Sequence, residues 1–254
     1  MIDLQKILDE GLTIKSSGST GPQKTIFRSP ENLQASNEVA LASQKITKKS
    51  KIYTICKINH AAGLLAQSLP AFSIGADLTI EDFNAYKFNK EILKYTHTHL
   101  TVKHAKAISL TKDFKKLDLT GIFVAIGTDK ITWDVIEAFI NQGATVMVNW
   151  GMSEVGPMAI NIIFENIDEV NEVKHDTLTL MGSNFWLDWK IENNILFVKG
   201  DICAYDGWFN TQDIVKLSNE TPYVMYYVGR TQDKIDCTRF FIEDNYLKNR
   251  NATI

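Results

Sequence analysis

The sequence predicts an α/β fold: a mainly parallel β-sheet flanked by helices, followed by a small β-barrel or β-meander subdomain. Two patterns predict it. Between Lys51 and Gly156, short β-branched runs alternate with helical stretches, the rhythm of strand–helix–strand units laid into a parallel sheet. Beyond Gly156 short strands follow one another across polar turns. At 254 residues the chain is long enough to bury the core that such a sheet needs.

The elements follow in order. Residues 3–10 read as a short helix, and 12–15 as a strand that leads into a loop rich in glycine and serine. A helix is expected over 30–46, because Ser29 is a good N-cap and Pro30 suits the first helical position. Strands are then expected at 52–55, 77–80, 99–102, 121–125 and 145–149, with helices at 61–72, 87–95, 102–109 and 132–141. The later strands are expected at 178–181, 186–192, 195–199, 214–217 and 223–228, with a turn at Glu192-Asn193-Asn194.

Composition narrows the function classes. A net charge of −3 argues against a general nucleic-acid binder or a binder of anionic membranes, because neither gets its electrostatic footprint from a slightly acidic chain. The three cysteines, Cys56, Cys203 and Cys237, are far apart and odd in number, which fits a reducing compartment and gives no metal spacing. The N-terminus lacks a signal-peptide core, and no apolar run approaches the length of a membrane span. The expectation is a cytoplasmic protein with no membrane span and no nucleic-acid partner.

The segment Ser16-Ser17-Gly18-Ser19-Thr20-Gly21-Pro22-Gln23-Lys24 carries the strongest chemical signal. Small residues let backbone N–H groups converge on one anion, the hydroxyls add donors, and Lys24 adds a point charge. The spacing fits neither the Walker loop nor the dinucleotide fingerprint. On this segment alone, a phosphate cradle and a plain serine-glycine turn both stand.

Three later stretches decide between them. The loop resembles the signature Ser/Thr-Gly-Ser/Thr-Thr-Gly-x-Pro-Lys of the adenylate-forming superfamily, which contains acyl- and aryl-CoA synthetases, luciferases and peptide-synthetase adenylation domains; Gln23 holds the proline's place. Asn149-Trp150-Gly151-Met152-Ser153-Glu154 resembles that family's Tyr-Gly-x-Thr-Glu motif. Gly207-Trp208-Phe209-Asn210-Thr211-Gln212-Asp213 resembles Gly-Trp-x-x-Thr-Gly-Asp, and the stretch from Gly229 to Ile235 resembles Gly-Arg-x-Asp-x-x-Ile. Four motifs in the family's order are far more specific than any one of them.

The resemblance implies an AMP-forming, ATP-dependent, carboxylate-activating ligase, with ATP or AMP and Mg²⁺ bound and coenzyme A as a co-substrate. Ser16, Ser17, Gly18, Ser19, Thr20, Gly21 and Lys24 would hold the phosphates. Trp150 would stack on adenine, with Gly151 and Met152 beside it; otherwise Trp150 is a core residue at a strand end. Ser153 would donate to the α-phosphate, or else cap a helix. Glu154 would hold Mg²⁺, a hard cation suited to carboxylate oxygen, or else be a capping-box or surface acid. Asp213 would accept from both ribose hydroxyls, and Arg230 would reach the ribose or phosphate. The alternatives are a turn aspartate and a surface arginine. His60 occupies the place of the family's His-x-x-Gly and would line or gate the carboxylate pocket, or else be a satisfied structural histidine; Gly127, Thr128 and the stretch after Gly156 would line the acyl pocket. His97, His99 and His104 lack further ligands in reach and read as core or surface histidines rather than a metal site.

Relative to the family pattern the sequence is expected to be shortened at both ends. Met1 to Lys15 stand where the family has a whole subdomain, and Ile254 follows soon after the hinge. The chain then divides into an N-terminal segment with the phosphate loop (1–47), an α/β sheet subdomain (48–175), a β-rich subdomain (176–230), and a hinge remnant with a tail (231–254). An apolar face covered by a homodimer or by a separate partner domain is the corresponding expectation. A non-catalytic nucleotide- or acyl-adenylate-binding protein, or one part of a split ligase, is the competing reading.

Overall fold

The computed structural model describes residues 2–15, 25–219 and 222–232. Helix α1 (Leu4–Glu10) is capped by Asp3, whose carboxylate accepts from the Lys6 N–H. Strands β1 (Leu12–Lys15) and β2 (Thr25–Arg28) pair antiparallel. The loop expected to cradle phosphates, Ser16 to Lys24, lies between them and outside the described residues. Helix α2 (Pro30–Gln44) starts as the sequence predicts, with Ser29 accepting from the Asn32 N–H and Pro30 in the first turn.

After β3 (Lys51–Thr54), the stretch expected as one helix is composite: α3 (Ala61–Gly63), a π-helical turn (Leu64–Ser68) and α4 (Leu69–Ser73). Pro70 has no N–H to give the Ala66 carbonyl. Gln44 supplies the donor instead, its Nε2 lying 2.8 Å from Ala66 O. The regular alternation then resumes with β4 (Asp77–Ile80), α5 (Ala85–Glu91), β5 (His97–Thr101), α6 (Val102–Ser109), β6 (Phe123–Gly127), α7 (Trp133–Ile140) and β7 (Thr145–Met152).

The chain next makes a turn that the sequence does not announce. Strand β8 (Gly156–Phe164) folds back antiparallel on β7, where only a lining segment was expected, and is followed by α8 (Ile167–Val173). The run Met158–Ile163 is apolar except for Asn161, with no alternation to separate strand from pocket wall. Strands β9 (Thr179–Gly182), β10 (Asn184–Phe185), β11 (Asp188–Glu192), β12 (Ile195–Lys199), β13 (Phe209–Leu217) and β14 (Met225–Arg230) complete the described chain. Asn193 and Asn194 both take positive φ, as a two-residue hairpin turn between β11 and β12 requires.

Two larger sheets result. One runs β10-β8-β7-β6-β5-β3-β4, parallel from β7 through β4. The other is antiparallel, ordered β11-β12-β13-β14-β9, so β11 to β14 form a meander with β9 along its last strand. Every residue of β6 is buried, as befits a parallel strand covered on both faces. The sheets are joined by an apolar cluster in which Val155, Ala159 and Ile160 meet Leu196, Val198, Val215 and Met225. Beside that contact the ends of β6, β7, β13 and β14 border one space. Among the described residues no helix is long and apolar enough to cross a membrane.

Candidate active site

A cavity of about 780 Å³ opens where the parallel strands end and the second sheet begins. Sites in open α/β sheets gather at the carboxyl ends of the strands. The cavity is lined by His60, Trp150, Gly151, Met152, Ser153, Glu154, Asp213 and Arg230, so every described residue singled out in the sequence faces one space. Ser16, Ser17, Gly18, Ser19, Thr20, Gly21 and Lys24 lie outside the described residues, while Ile14 and Lys15 just before them also line the cavity.

Three of these side chains are bonded together. Asp213 and Arg230 are register partners on β13 and β14, and Arg230 Nε donates to Asp213 Oδ1 at 2.9 Å. From β7, the Trp150 indole N–H donates to Asp213 Oδ2 at 2.9 Å. Asp213 is 2% exposed, so both bonds act in a medium that strengthens charge-assisted contacts. Its backbone N–H is held by Thr211 Oγ1, whose hydroxyl donates to Leu196 O. Between them Gln212 has a φ of 63°, the left-handed region favoured by glycine, at the place where the resembling motif has glycine.

Ser153 and Glu154 sit in the hairpin turn from β7 to β8, closed by the Val155 N–H donating to Met152 O. No helix starts there, so neither a helix N-cap nor a capping box accounts for them. Gly151 lets the two strands pinch, because a Cβ would lie 2.3 Å from Gly156 O. Glu154 is 9% exposed, and its carbonyl accepts from the Ala204 N–H. Among the described residues no cluster of three metal-ligating side chains occurs. Mg²⁺ is the cation that does without one, since it binds through one or two carboxylates, phosphates and water; Glu154 fits that donor set.

Behind the turn lies Arg28, which no motif indicated. It is fully buried, and burial lowers its pKa to about 10, with Cys203 and Glu154 acting the other way, so it is cationic at neutral pH. One signal was present in the sequence. Alternation along β2 puts Arg28 on the same inward face as Ile26, with Phe27 turned outward.

The opposite wall is less tied down. His60 precedes α3 without a side-chain capping bond and is exposed at the cavity edge. Gly63 is needed for packing, since a Cβ there would lie 2.3 Å from Lys57 O. At the exit of β6, Thr128 has a φ of 76°, a strained conformation for a β-branched residue. Beneath this wall, His99 is buried, and desolvation together with His104 pushes its pKa down to about 4. His97 is buried as well and pairs with Gln44 O, so both are core histidines.

The model of the AMP-binding enzyme family matches residues 13–192. A curated relative, 2-succinylbenzoate–CoA ligase from Staphylococcus epidermidis, is 23% identical over 239 residues, covering 83% of this chain and 48% of its own. Among solved structures, O-succinylbenzoate coenzyme A synthetase from Bacillus subtilis, in complex with ATP and magnesium, superposes with a TM-score of 0.74 at 18% identity, over 88% of this chain and 50% of its own. ATP-bound MatB from Rhodopseudomonas palustris gives 0.73 at 17% identity, over 88% and 48%. The chain thus spans about half the length of the relatives it matches.

Proposed function

The chain belongs to the AMP-binding enzyme family, and on that premise we propose that its cavity is the adenylation site of an ATP-dependent, AMP-forming, carboxylate-activating ligase. The observation that carries the reading is the convergence of Trp150, Asp213 and Arg230, from three strands of two sheets, on one hydrogen-bonded group. Trp150 offers a flat face to adenine, Asp213 accepts from the ribose hydroxyls, and Arg230 contacts ribose or phosphate. Ser153 and the loop from Ser16 to Lys24 take the phosphates.

In the proposed reaction a carboxylate oxygen of the acid bonds to the α-phosphorus of ATP and the bond to pyrophosphate breaks, leaving an acyl-adenylate. Charge grows on the phosphoryl oxygens, and donors fixed in place beforehand supply much of the stabilisation. Glu154 would hold Mg²⁺, which would supply further neutralisation of that charge. His60, Gly127 and Thr128 border the space left for the acid. In the same reading coenzyme A then takes the acyl group from the adenylate, and AMP leaves.

The test is ATP–pyrophosphate exchange over a panel of fatty acids, aryl acids and 2-succinylbenzoate, the last because a relative acts on it. Exchange that depends on one class of acid is expected. Tight AMP binding with no acid supporting exchange would replace the ligase reading with a nucleotide-binding protein or one part of a split ligase.

A further inference from the structure

Arg28 belongs to none of the motifs that define the proposed site, yet its surroundings are built around it. Nη1 donates to Asn32 Oδ1 at 2.6 Å and to Ile202 O at 3.0 Å, and Nη2 donates to Ser153 O at 2.9 Å. Asn32 extends the clamp, its Nδ2 donating to Asp201 O at 2.6 Å and to Cys203 O at 2.8 Å. Gly156 borders the clamp at a φ of 110°, and a Cβ there would press on Ile202 O at 3.2 Å. The guanidinium therefore joins three segments. They are the strand that leaves the glycine-serine loop, the turn bearing Ser153 and Glu154, and the 200–204 loop, whose Ala204 N–H holds the Glu154 carbonyl.

Space filling does not explain this choice. An apolar side chain would spare the desolvation of a cation, and buried charges are often replaceable by hydrophobic residues without loss of stability. Among the described residues Arg28 Nε even lacks a hydrogen-bond partner. What an apolar residue cannot do is fix the Ile202 and Ser153 carbonyls at once and hold the Asn32 amide as well. A planar donor fork does both.

We infer that Arg28 is a positioning residue for the phosphate and metal half of the site. It holds the Ser153–Glu154 turn against β2 and the 200–204 loop, so that Ser153 and Glu154 stay in place for the phosphates and the cation. It touches no substrate and acts through the Ser153 and Ile202 carbonyls. The inference rests on the adenylation reading of the cavity.

Calorimetric titration of adenosine and of ATP with Mg²⁺ into wild type, Arg28→Met and Arg28→Lys separates the possibilities. Adenosine lacks the phosphates, so Arg28→Met should bind it within about twofold of wild type, as expected of a residue outside that half. ATP with Mg²⁺ should bind about 10–100-fold more weakly, the usual loss on removing an outer-shell partner, and half-saturation should need more Mg²⁺. Arg28→Lys, keeping the charge and one carbonyl contact, should fall between. A folded Arg28→Met that binds ATP with Mg²⁺ as wild type does, or that loses adenosine to the same degree, overturns the inference. Wild type that binds neither ligand overturns the adenylation reading and the inference with it. If melting shows Arg28→Met to be unfolded, Asn32→Ala takes its place. It loosens the clamp but keeps the cation, and should show the same selectivity at smaller size; equal losses of both ligands overturn the inference.

Discussion

The two walls of the cavity are built differently. On the side of β13 and β14, Asp213 is buried, hydrogen-bonded on both oxygens and set in register with Arg230. On the side of α3 and β6, His60 is exposed without a capping bond and Thr128 is held in a strained conformation. A wall whose groups are fixed before binding suits an invariant ligand, since no reorganisation is left to be done. That is the nucleotide in the proposed function. In the same proposal the looser wall borders the space for the acid.

The largest expected effect comes from the floor beneath the looser wall. An unfolded histidine has the ordinary pKa of 6.5, and folded His99 has one of about 4. The unfolded chain therefore carries more protons between those values, so stability is full above pH 6.5 and falls as pH drops toward 4. The loss is on the order of 3 kcal/mol, and burial of His97 and His104 acts in the same direction. Urea midpoints measured across that range should fall steeply for wild type and less so for His99→Gln; parallel curves would remove His99 from the account.

Next in size is Asp213→Ala. It deletes the acceptor of two charge-assisted bonds and leaves Arg230 facing Trp150, so AMP affinity should fall by about 2–3 kcal/mol, roughly a hundredfold. Unchanged affinity would dissolve the contrast between the walls. Trp150→Phe retains an aromatic face and loses only the N–H donor to Asp213. Its expected loss is about 1 kcal/mol, and a loss as large as that of Asp213→Ala would mean that the bond, rather than stacking, dominates. The smallest effect tests the strain. Thr128→Gly should raise the melting temperature by about 2–4 °C, since glycine takes positive φ without a steric penalty. A drop would show that the Thr128 side chain packs well enough to outweigh its conformation.

Much of this was legible in the sequence, for physical reasons that differ by region. The bounds of β1, β4 and α6 agree with expectation, and α2 begins at its Ser29 cap, because alternation and capping are local signals. Strand β8 was not legible. It is buried almost throughout, and a continuous apolar run has no period of its own. The π-helical turn has Gln44, distant in sequence, bonded to its Ala66 carbonyl, a tertiary contact that no local pattern announces. Around the cavity, lining residues that belong to ordered motifs could be named from the chain alone. Arg28 could not be assigned a role that way, because its partners at Ser153 and Ile202 come from far along the chain.

The central claim is that the wall of Trp150, Asp213 and Arg230 receives an adenine nucleotide. A crystal structure of the protein soaked with ATP and Mg²⁺ tests it most directly. The account predicts adenine against the Trp150 indole, the ribose hydroxyls on Asp213, and the triphosphate running toward Ser153 and the loop after Lys15. A nucleotide bound elsewhere, or with its base away from Trp150 and its ribose off Asp213, would contradict it.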